Sequence, residues 1–394
     1  MKHYVGIDNA NLTHSVCIID QSGKVIKNFE ISNNDTGYKR LKLNIEKFPN
    51  PVIAFELPHG PLIDFLRKLP YKQYSLNPLK VKRFKQTFSV SGNKSDKVDS
   101  EAIAQYIKFN EKTSREMLFN SPEIETLKQF GVSHDRLVRD HTRYSNRLLF
   151  LFRQYFPLYS GLFSETAPKT LLKMVLKYPI WEKLKNETTE SFESFLRSNK
   201  YSNPKYVKRL RDKIDSYAHH VMPEVEISMQ YEAMAIANIL LSIKDQLANI
   251  ENEMWKIVEV HKDGKILSSL PGAGKVLTSK ILGIIGDNRK RFTKANQVQC
   301  LFGTAPMNYQ SGGYHKVIMR KACNKRAKSI LFSFAFSSLR FSPWARAYYD
   351  GQRKKGKNHS LAVRALSNKW INIIFAMWKN KQEYVEKINN LVAA

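Results

Sequence analysis

The chain is poor in acid and in cysteine. Its 394 residues hold 35 Asp and Glu against 64 Lys and Arg, a formal net charge of +29. Such an excess repels itself and is sustained by a polyanionic partner, with nucleic acid favoured over a membrane surface. The shortage is sharpest between Asn288 and Gln382, where 20 basic residues meet one acid, Asp350. The three cysteines, Cys17, Cys300 and Cys323, are too few and too scattered for a disulfide framework or a zinc site, which fits a reducing cytoplasm. Long apolar runs are missing too. Ile239 to Ile243 is too short to span a bilayer, and MKHYVGIDNA has neither the charged leader nor the apolar core of a signal peptide. A nucleotide loop is also lacking. Gly272-Ala273-Gly274-Lys275 would need glycine at Ser269 and a hydroxyl at Val276 to be a Walker A motif, so no ATPase is expected.

The length allows two or three domains, each with its own core. Tyr4 to Asp8, Ser15 to Asp20 and Val25 to Ile31 are β-branched runs, with a turn at Gln21-Ser22-Gly23-Lys24, and predict three consecutive strands. A helix over Asp35 to Phe48, a strand over Pro51 to Phe55, a helix over Pro61 to Leu69, a strand over Tyr71 to Ser75 and a helix over Pro78 to Phe88 follow. Three strands and then βαβ alternation is the order of an RNase H-like α/β sheet, although other α/β folds share it. Residues 1–118 are thus expected to form one domain. From 119 to 262 the pattern is helical. Ser121-Pro122-Glu123 is a strong helix start, with Phe130, Leu137, Tyr144 and Leu151 recurring every seven residues beyond it. Ile236, Leu240, Ile243, Leu247, Ile250, Met254 and Ile257 alternate steps of four and three, the seam of a coiled coil within the chain or between two copies. Residues 263–394 read as a third, mainly α domain, in which Leu270-Pro271-Gly272-Ala273-Gly274 precedes a helix over Val276 to Ile285. A glycine turn at a helix start offers backbone N–H groups to phosphate, as in a helix-hairpin-helix element, and makes Gly272, Gly274 and Lys275 candidate backbone contacts.

Asp8 and Glu56 fall at the carboxyl ends of their strands, where an open α/β sheet carries its ligand crevice. Asp96 and Asp99 project from one face at the start of a helix running to about Lys108. Four carboxylates in one crevice repel unless a cation neutralises them, and hard oxygens suit Mg²⁺ or Mn²⁺. Two such ions can activate a nucleophile and stabilise a leaving oxygen in phosphoryl transfer. Taken singly, each acid reads more simply as a turn residue or a helix-start acid.

Val5-Gly6-Ile7-Asp8, Glu56 at its strand end and Asn93-Lys94-Ser95-Asp96-Lys97-Val98-Asp99-Ser100-Glu101-Ala102 together resemble the DEDD transposases, the insertion-sequence recombinases related to the Piv DNA invertase. Leu270 to Gly274, Phe302-Gly303-Thr304-Ala305-Pro306 and Gln310-Ser311-Gly312-Gly313 resemble the same family's C-terminal domain. The resemblance implies a RuvC-like domain whose metal-binding tetrad is Asp8, Glu56, Asp96 and Asp99. It also implies a serine nucleophile, Ser311, that forms a phosphoserine link to DNA in a composite site. It further implies a dimer or tetramer, and a structured bridge RNA that pairs with donor and target DNA. Two departures stand out: Ser95 and Ser100 replace the usual Thr and Ala, and Leu57-Pro58-His59-Gly60 follows Glu56 in place of small residues.

Gly312 and Gly313 would allow close approach to a phosphate, and His315, Lys316, Arg320 and Lys321 could offset its charge. Lys316, Arg320, Lys321, Lys325, Arg326 and Lys328 form the expected nucleic-acid surface, whose phosphate contacts carry no sequence information. Lys80, Lys82, Arg83 and Lys85 are a second basic group suited to an RNA backbone. Two other readings fit the residues: a RuvC-like nuclease or junction resolvase that uses water and does without Ser311, and a catalytically silent nucleic-acid-binding protein.

Overall fold

The computed structural model describes residues 1–88, 96–163 and 167–386. They form two compact units, Met1–Phe119 and Asn120–Ala394.

The first unit is a five-stranded mixed sheet. β1 (His3–Asn9), β2 (Thr13–Ile19) and β3 (Val25–Ser32) form an antiparallel meander, and β4 (Pro51–Phe55) and β5 (Lys72–Ser75) run parallel to β1 in the order β3-β2-β1-β4-β5. This is the order and direction expected of an RNase H-like domain. Helices α1 (Asp35–Ile45), α2 (Pro61–Leu66), α3 (Pro78–Phe88) and α4 (Asp96–Asn110) complete it. Alternation along the strands assigns the two faces. Val5, Ile7, Val16, Ile18, Ile53 and Phe55 pack with α1 and α2, while Tyr4, Cys17, Ile19, Val52 and Ala54 pack with Ile103, Ala104 and Ile107 of α4. The central strands are apolar on both faces because both are covered.

Gly6 sets how closely α4 approaches. A Cβ at this position would lie 2.1 Å from the Ser100 carbonyl oxygen and 2.5 Å from the Ala104 nitrogen. Only glycine lets the helix backbone cross β1 at that distance. Ser15 of β2 and Ser100 of α4 share a buried hydrogen bond at 3.1 Å beside the crossing.

The second unit is mostly helical. α5 (Pro122–Tyr155) begins as its sequence predicts, with the Ser121 hydroxyl accepting from the Ile124 N–H and Pro122 in the first turn. Five shorter helices follow: α6 (Pro157–Leu162), α7 (Lys169–Lys177), α8 (Trp181–Lys185), α9 (Thr189–Ser198) and α10 (Pro204–Asp215). α11 (Pro223–Val260) then returns along α5. The two run in opposite directions. Ile124 and Leu127 share a core with Met254 and Val258, and Leu148 and Leu151 share another with Ile236 and Leu240. The apolar seam of α11 is therefore partly used within the chain.

The stripe that α5 buries is Ile124, Leu127, Gly131, His134, Ser145, Leu148, Leu151, Phe152 and Tyr155. Of the four residues at seven-residue spacing, only Leu151 belongs to it; Phe130 and Tyr144 are partly buried at its flanks. α5 must also receive a third helix, and small or polar residues line that face.

The remaining elements are α12 (Lys262–Ser268), α13 (Gly274–Ile285), α14 (Ala295–Phe302), β6 (Met307–Ser311), β7 (Tyr314–Ile318), α15 (Lys325–Ser338), α16 (Pro343–Lys354) and α17 (His359–Asn380). α13 starts two residues earlier than its apolar pattern suggests. α13, α15 and α17 close around Leu282, Leu331, Phe334 and Trp370. The β6–β7 hairpin is an addition to the mainly α expectation. Among the described residues, no helix is long and apolar enough to cross a membrane.

Candidate active site

β1 and β4 are paired in parallel with Ile7 level with Phe55, so Asp8 and Glu56 come level at the carboxyl end of the sheet, Glu56 one residue beyond its strand. The Asn9 amide donates to the Leu57 carbonyl at 3.2 Å and ties the chain after Glu56 to the end of β1. α4 crosses β1 at Gly6 with its N-terminus at the same end, which carries Asp96 and Asp99 there.

The acids are brought within electrostatic reach of one another. Burial raises the Asp8 carboxyl above the usual carboxylate range, and the charges of Asp99 and Asp96 raise it further, while His14 and Lys85 act in the opposite sense. Burial raises Glu56 as well, with Asp8 and Asp99 adding to it. Such mutual upward shifts mark carboxylates held against their own repulsion. One counter-charge is built in: Lys85 of α3 places its ammonium 2.5 Å from Asp99 Oδ1. Among the described residues, no three His, Cys, Asp or Glu side chains stand close enough to share a single ion. The donor set fits a hard divalent cation through its all-oxygen chemistry and through a negative charge that Lys85 offsets by direct pairing only at Asp99. Asn93, Lys94 and Ser95 of the motif lie outside the described residues.

Ser311 belongs to the second unit. It ends β6 opposite Tyr314, across a two-residue turn in which Gly312 has φ 55°. Positive φ at the first turn position is the conformation for which a tight hairpin selects glycine. Register then sorts the hairpin. Tyr309, Ser311, Tyr314 and Lys316 share one face, and Asn308, Gln310, His315 and Val317 the other. Nearly every residue of both strands is exposed.

Of the basic residues expected to bind nucleic acid, Lys316, Lys321 and Lys325 are exposed. Lys328 donates to the Met319 sulfur at 3.1 Å. Arg320 is partly buried, and its Nε finds no acceptor among the described residues. Arg326 is engaged internally: its Nε pairs with Asp135 Oδ2, and Lys280 Nζ holds Asp135 Oδ1 at 2.6 Å. Burial alone would raise the Asp135 carboxyl, but hydrogen bonds from His134, Lys280 and Arg326 hold it well below the usual range. This node links α5, α13 and α15, and no local pattern in the sequence announces it.

Gly272, with φ 77°, sits where a Cβ would meet the Phe341 ring at 2.7 Å, and its carbonyl accepts from the Ser337 hydroxyl at 2.7 Å. Gly274, with φ 59°, opens α13 with free space around it, and no side chain caps that helix. The Lys275 ammonium lies 5.1 Å from the centre of the Trp255 ring.

Comparison with known proteins agrees with this layout. A family model described as Transposase, of the DEDD type found in IS110 elements, matches residues 5–157. A second, described as Transposase IS116/IS110/IS902 family, matches residues 264–350. The chain belongs to the IS110 family of transposases. This transposase is similar over 98% of its length, at 27% identity, to the "Mini-circle putative transposase for IS117" of Streptomyces coelicolor, of which 95% is covered. The IS110 43.6 kDa protein of the same organism is 23% identical over 75% of the transposase and 73% of its own length. The pilin gene-inverting protein of Moraxella lacunata is 24% identical over 37% of the transposase and 47% of its own length. The first match covers the sheet unit from Val5 onward together with α5, and the second runs from α12 into α16.

Lys85 is the site residue that sequence reading places elsewhere. Its basic neighbours on α3 suggest a nucleic-acid backbone, and only the fold brings it onto Asp99. Gly6 is visible in the motif, but its steric role emerges only with α4 in place.

Proposed function

We propose that the transposase cuts and rejoins DNA by transfer through Ser311, with Asp8, Glu56, Asp96 and Asp99 holding Mg²⁺ or Mn²⁺. The observation that carries this reading is the gathering of the four acids at one end of the sheet, where burial raises Asp8 and Glu56 and their neighbours' charge adds to it. A divalent ion held there would supply charge neutralisation at the phosphate and lower the cost of deprotonating an attacking hydroxyl. The protein's own residues supply the rest. Ser311 Oγ forms a bond to phosphorus, one P–O bond to a deoxyribose breaks, and the departing sugar oxygen takes up a proton. The serine proton passes to a carboxylate or to water. A sugar hydroxyl from the second duplex then attacks the phosphoserine and releases Ser311 unchanged. Each ester broken is replaced by one formed, so no energy-rich co-substrate is required. Lys316, on the face of Ser311, offsets charge on the phosphate.

The exposed basic residues after the hairpin and the uncapped start of α13 are suited to grip DNA backbones in the manner of a helix-hairpin-helix element. The family resemblance suggests a bridge RNA as guide and a dimer or tetramer as the working assembly, with further seam contacts from α11 in a coiled coil. A covalent-adduct assay tests the chemistry, using labelled element-end and target DNA, the flanking transcript of the element and Mg²⁺. Wild type should form a protein–DNA adduct and Ser311→Ala none. Equal cleavage by both without an adduct would instead establish a water-using nuclease. Binding without breakage in either protein would leave a silent nucleic-acid-binding protein.

A further inference from the structure

The segment between the two family matches, residues 158–263, contains α7 to α10 and all but the first residue of α6, and one surface of it has the chemistry of a strand-binding site. From Arg197 to Lys213 there are seven basic residues and one acid, Asp212. Three of the seven have partners. Arg197 pairs with Glu193, Arg211 with Asp215, and Lys213 donates to the Gly161 carbonyl. Among the described residues no carboxylate pairs with Lys200, Lys205, Lys208 or Arg209. Beside these cations runs a ladder of planar groups. Phe163 meets Tyr201 edge to face at 5.6 Å, Tyr201 stacks on Tyr206 at 5.3 Å with 21° between planes, and the Arg209 guanidinium lies 4.8 Å over Tyr206.

Hydrophobic packing accounts for the inner end of the ladder, since Phe163, Tyr201 and Tyr206 all border the core of this region. It does not account for the outer end. Arg209 is exposed, and among the described residues it pairs with no acid and ends the stack. Aromatic rings and guanidinium planes stack on unpaired bases, and flanking lysines track the phosphates between them. Duplex DNA offers no base face to such a ladder. α10 also has no acid in its first turn, so the positive end of its dipole adds to the field.

We infer that α10 and the chain leading into it bind an unpaired nucleotide segment, with a base stacked on Arg209 and phosphates held by Lys205 and Lys208. RNA and single-stranded DNA share this chemistry. It shares no residue with the proposed strand-exchange set, so its failure and that of the serine mechanism are distinguishable.

The test is photo-crosslinking of the full-length protein to halogenated uridine and deoxyuridine 12-mers, with the crosslinked peptide located by mass spectrometry. Crosslinks are expected between Tyr201 and Lys213. Arg209→Lys, which keeps the charge and loses the plane, should lower the crosslink yield there roughly 5- to 100-fold. Lys208→Gln should reduce the salt slope of binding by about 1. Tyr206→Phe should retain the signal, and unchanged thermal unfolding of the Arg209 variant shows that the fold is intact. The stronger of the RNA and DNA arms identifies the source of the strand. Crosslinks confined to other segments, undiminished yield in Arg209→Lys, or displacement by duplex as effective as by single strand would each overturn the inference.

Discussion

Substituting Gly6 by alanine tests the packing that brings the carboxylates together. The added methyl would sit 2.1 Å from the Ser100 carbonyl oxygen and 2.5 Å from the Ala104 nitrogen, both backbone atoms that cannot swing aside. Relief requires α4 to withdraw by about 1 Å, a forced overpacking of the kind that costs roughly 1–3 kcal/mol. The withdrawal loosens Ile103, Ala104 and Ile107, all fully buried, and stretches the Ser15–Ser100 hydrogen bond. For a unit of this size the unfolding midpoint should fall by roughly 4–12 °C. Asp96 and Asp99 ride on the same helix, so they move away from Asp8 and Glu56 by a similar distance. A misplacement of about 1 Å can reduce turnover about 100-fold. Thermal unfolding followed by circular dichroism reads the first effect, and DNA cleavage with metal in excess reads the second. A Gly6→Ala protein that melts with wild type and cleaves DNA at the wild-type rate would refute the close crossing of α4 over β1.

Asp8→Asn should abolish cleavage, retain salt-dependent DNA binding and raise the unfolding midpoint at neutral pH, because it removes one of the mutually repelling charges. The sign follows from the raised carboxyls of Asp8 and Glu56: in their protonated forms they contribute stability below their ordinary range, and this is lost as pH rises through the higher folded values. Metal-free wild type should therefore lose more stability than Asp8→Asn on going from about pH 4 to pH 7, and parallel curves would refute the coupling. Asp135→Asn should destabilise the second unit by about 3 kcal/mol, since Lys280 and Arg326 lose their shared acid. The depressed carboxyl of Asp135 contributes stability above the ordinary aspartate range that is lost as pH falls toward its lower folded value. Urea unfolding at pH 3 and pH 7 should show the wild-type advantage shrinking in acid; an advantage equal at both would refute the ion-pair assignment. Lys85→Met should leave Asp99 uncompensated and tighten Mn²⁺ binding by roughly 5- to 30-fold, a gain of about 1–2 kcal/mol, and calorimetry showing weaker binding would refute the proposed ligand role of Asp99.

The sheet unit was largely legible in the chain. Its strands are runs of β-branched residues and its helices carry apolar residues at helical spacing, so element order followed from local pattern alone, and the carboxyl-end positions of Asp8 and Glu56 came with it. The β6–β7 hairpin was not expected. Its strands are five residues long and exposed, so burial imposes no alternation on them, and Ser311-Gly312-Gly313 reads only as a turn. The buried face of α5 also escaped the heptad reading. Phe130 and Tyr144 catch the eye, yet the face that must admit other helices is lined by Gly131, His134 and Ser145, which carry no hydrophobic signal. Lys85 and Asp135 share a different obstacle: each is defined by partners distant in the chain, and charge pairing across a fold leaves no local trace.

The antiparallel course of α5 and α11 has a mechanical consequence. One core clamps these helices near Leu127 and Met254, the other near Leu148 and Ile236. At about 1.5 Å per residue the clamps are roughly 30 Å apart. The pair is thus a strut with a load at each end, and its length cannot change unless helical hydrogen bonds break. A load applied along the axis at the core of the small helices α6 to α10 is carried to the far core by two helices of fixed length. Whatever the two ends hold is kept at a set spacing, as by the jaws of a caliper locked in place.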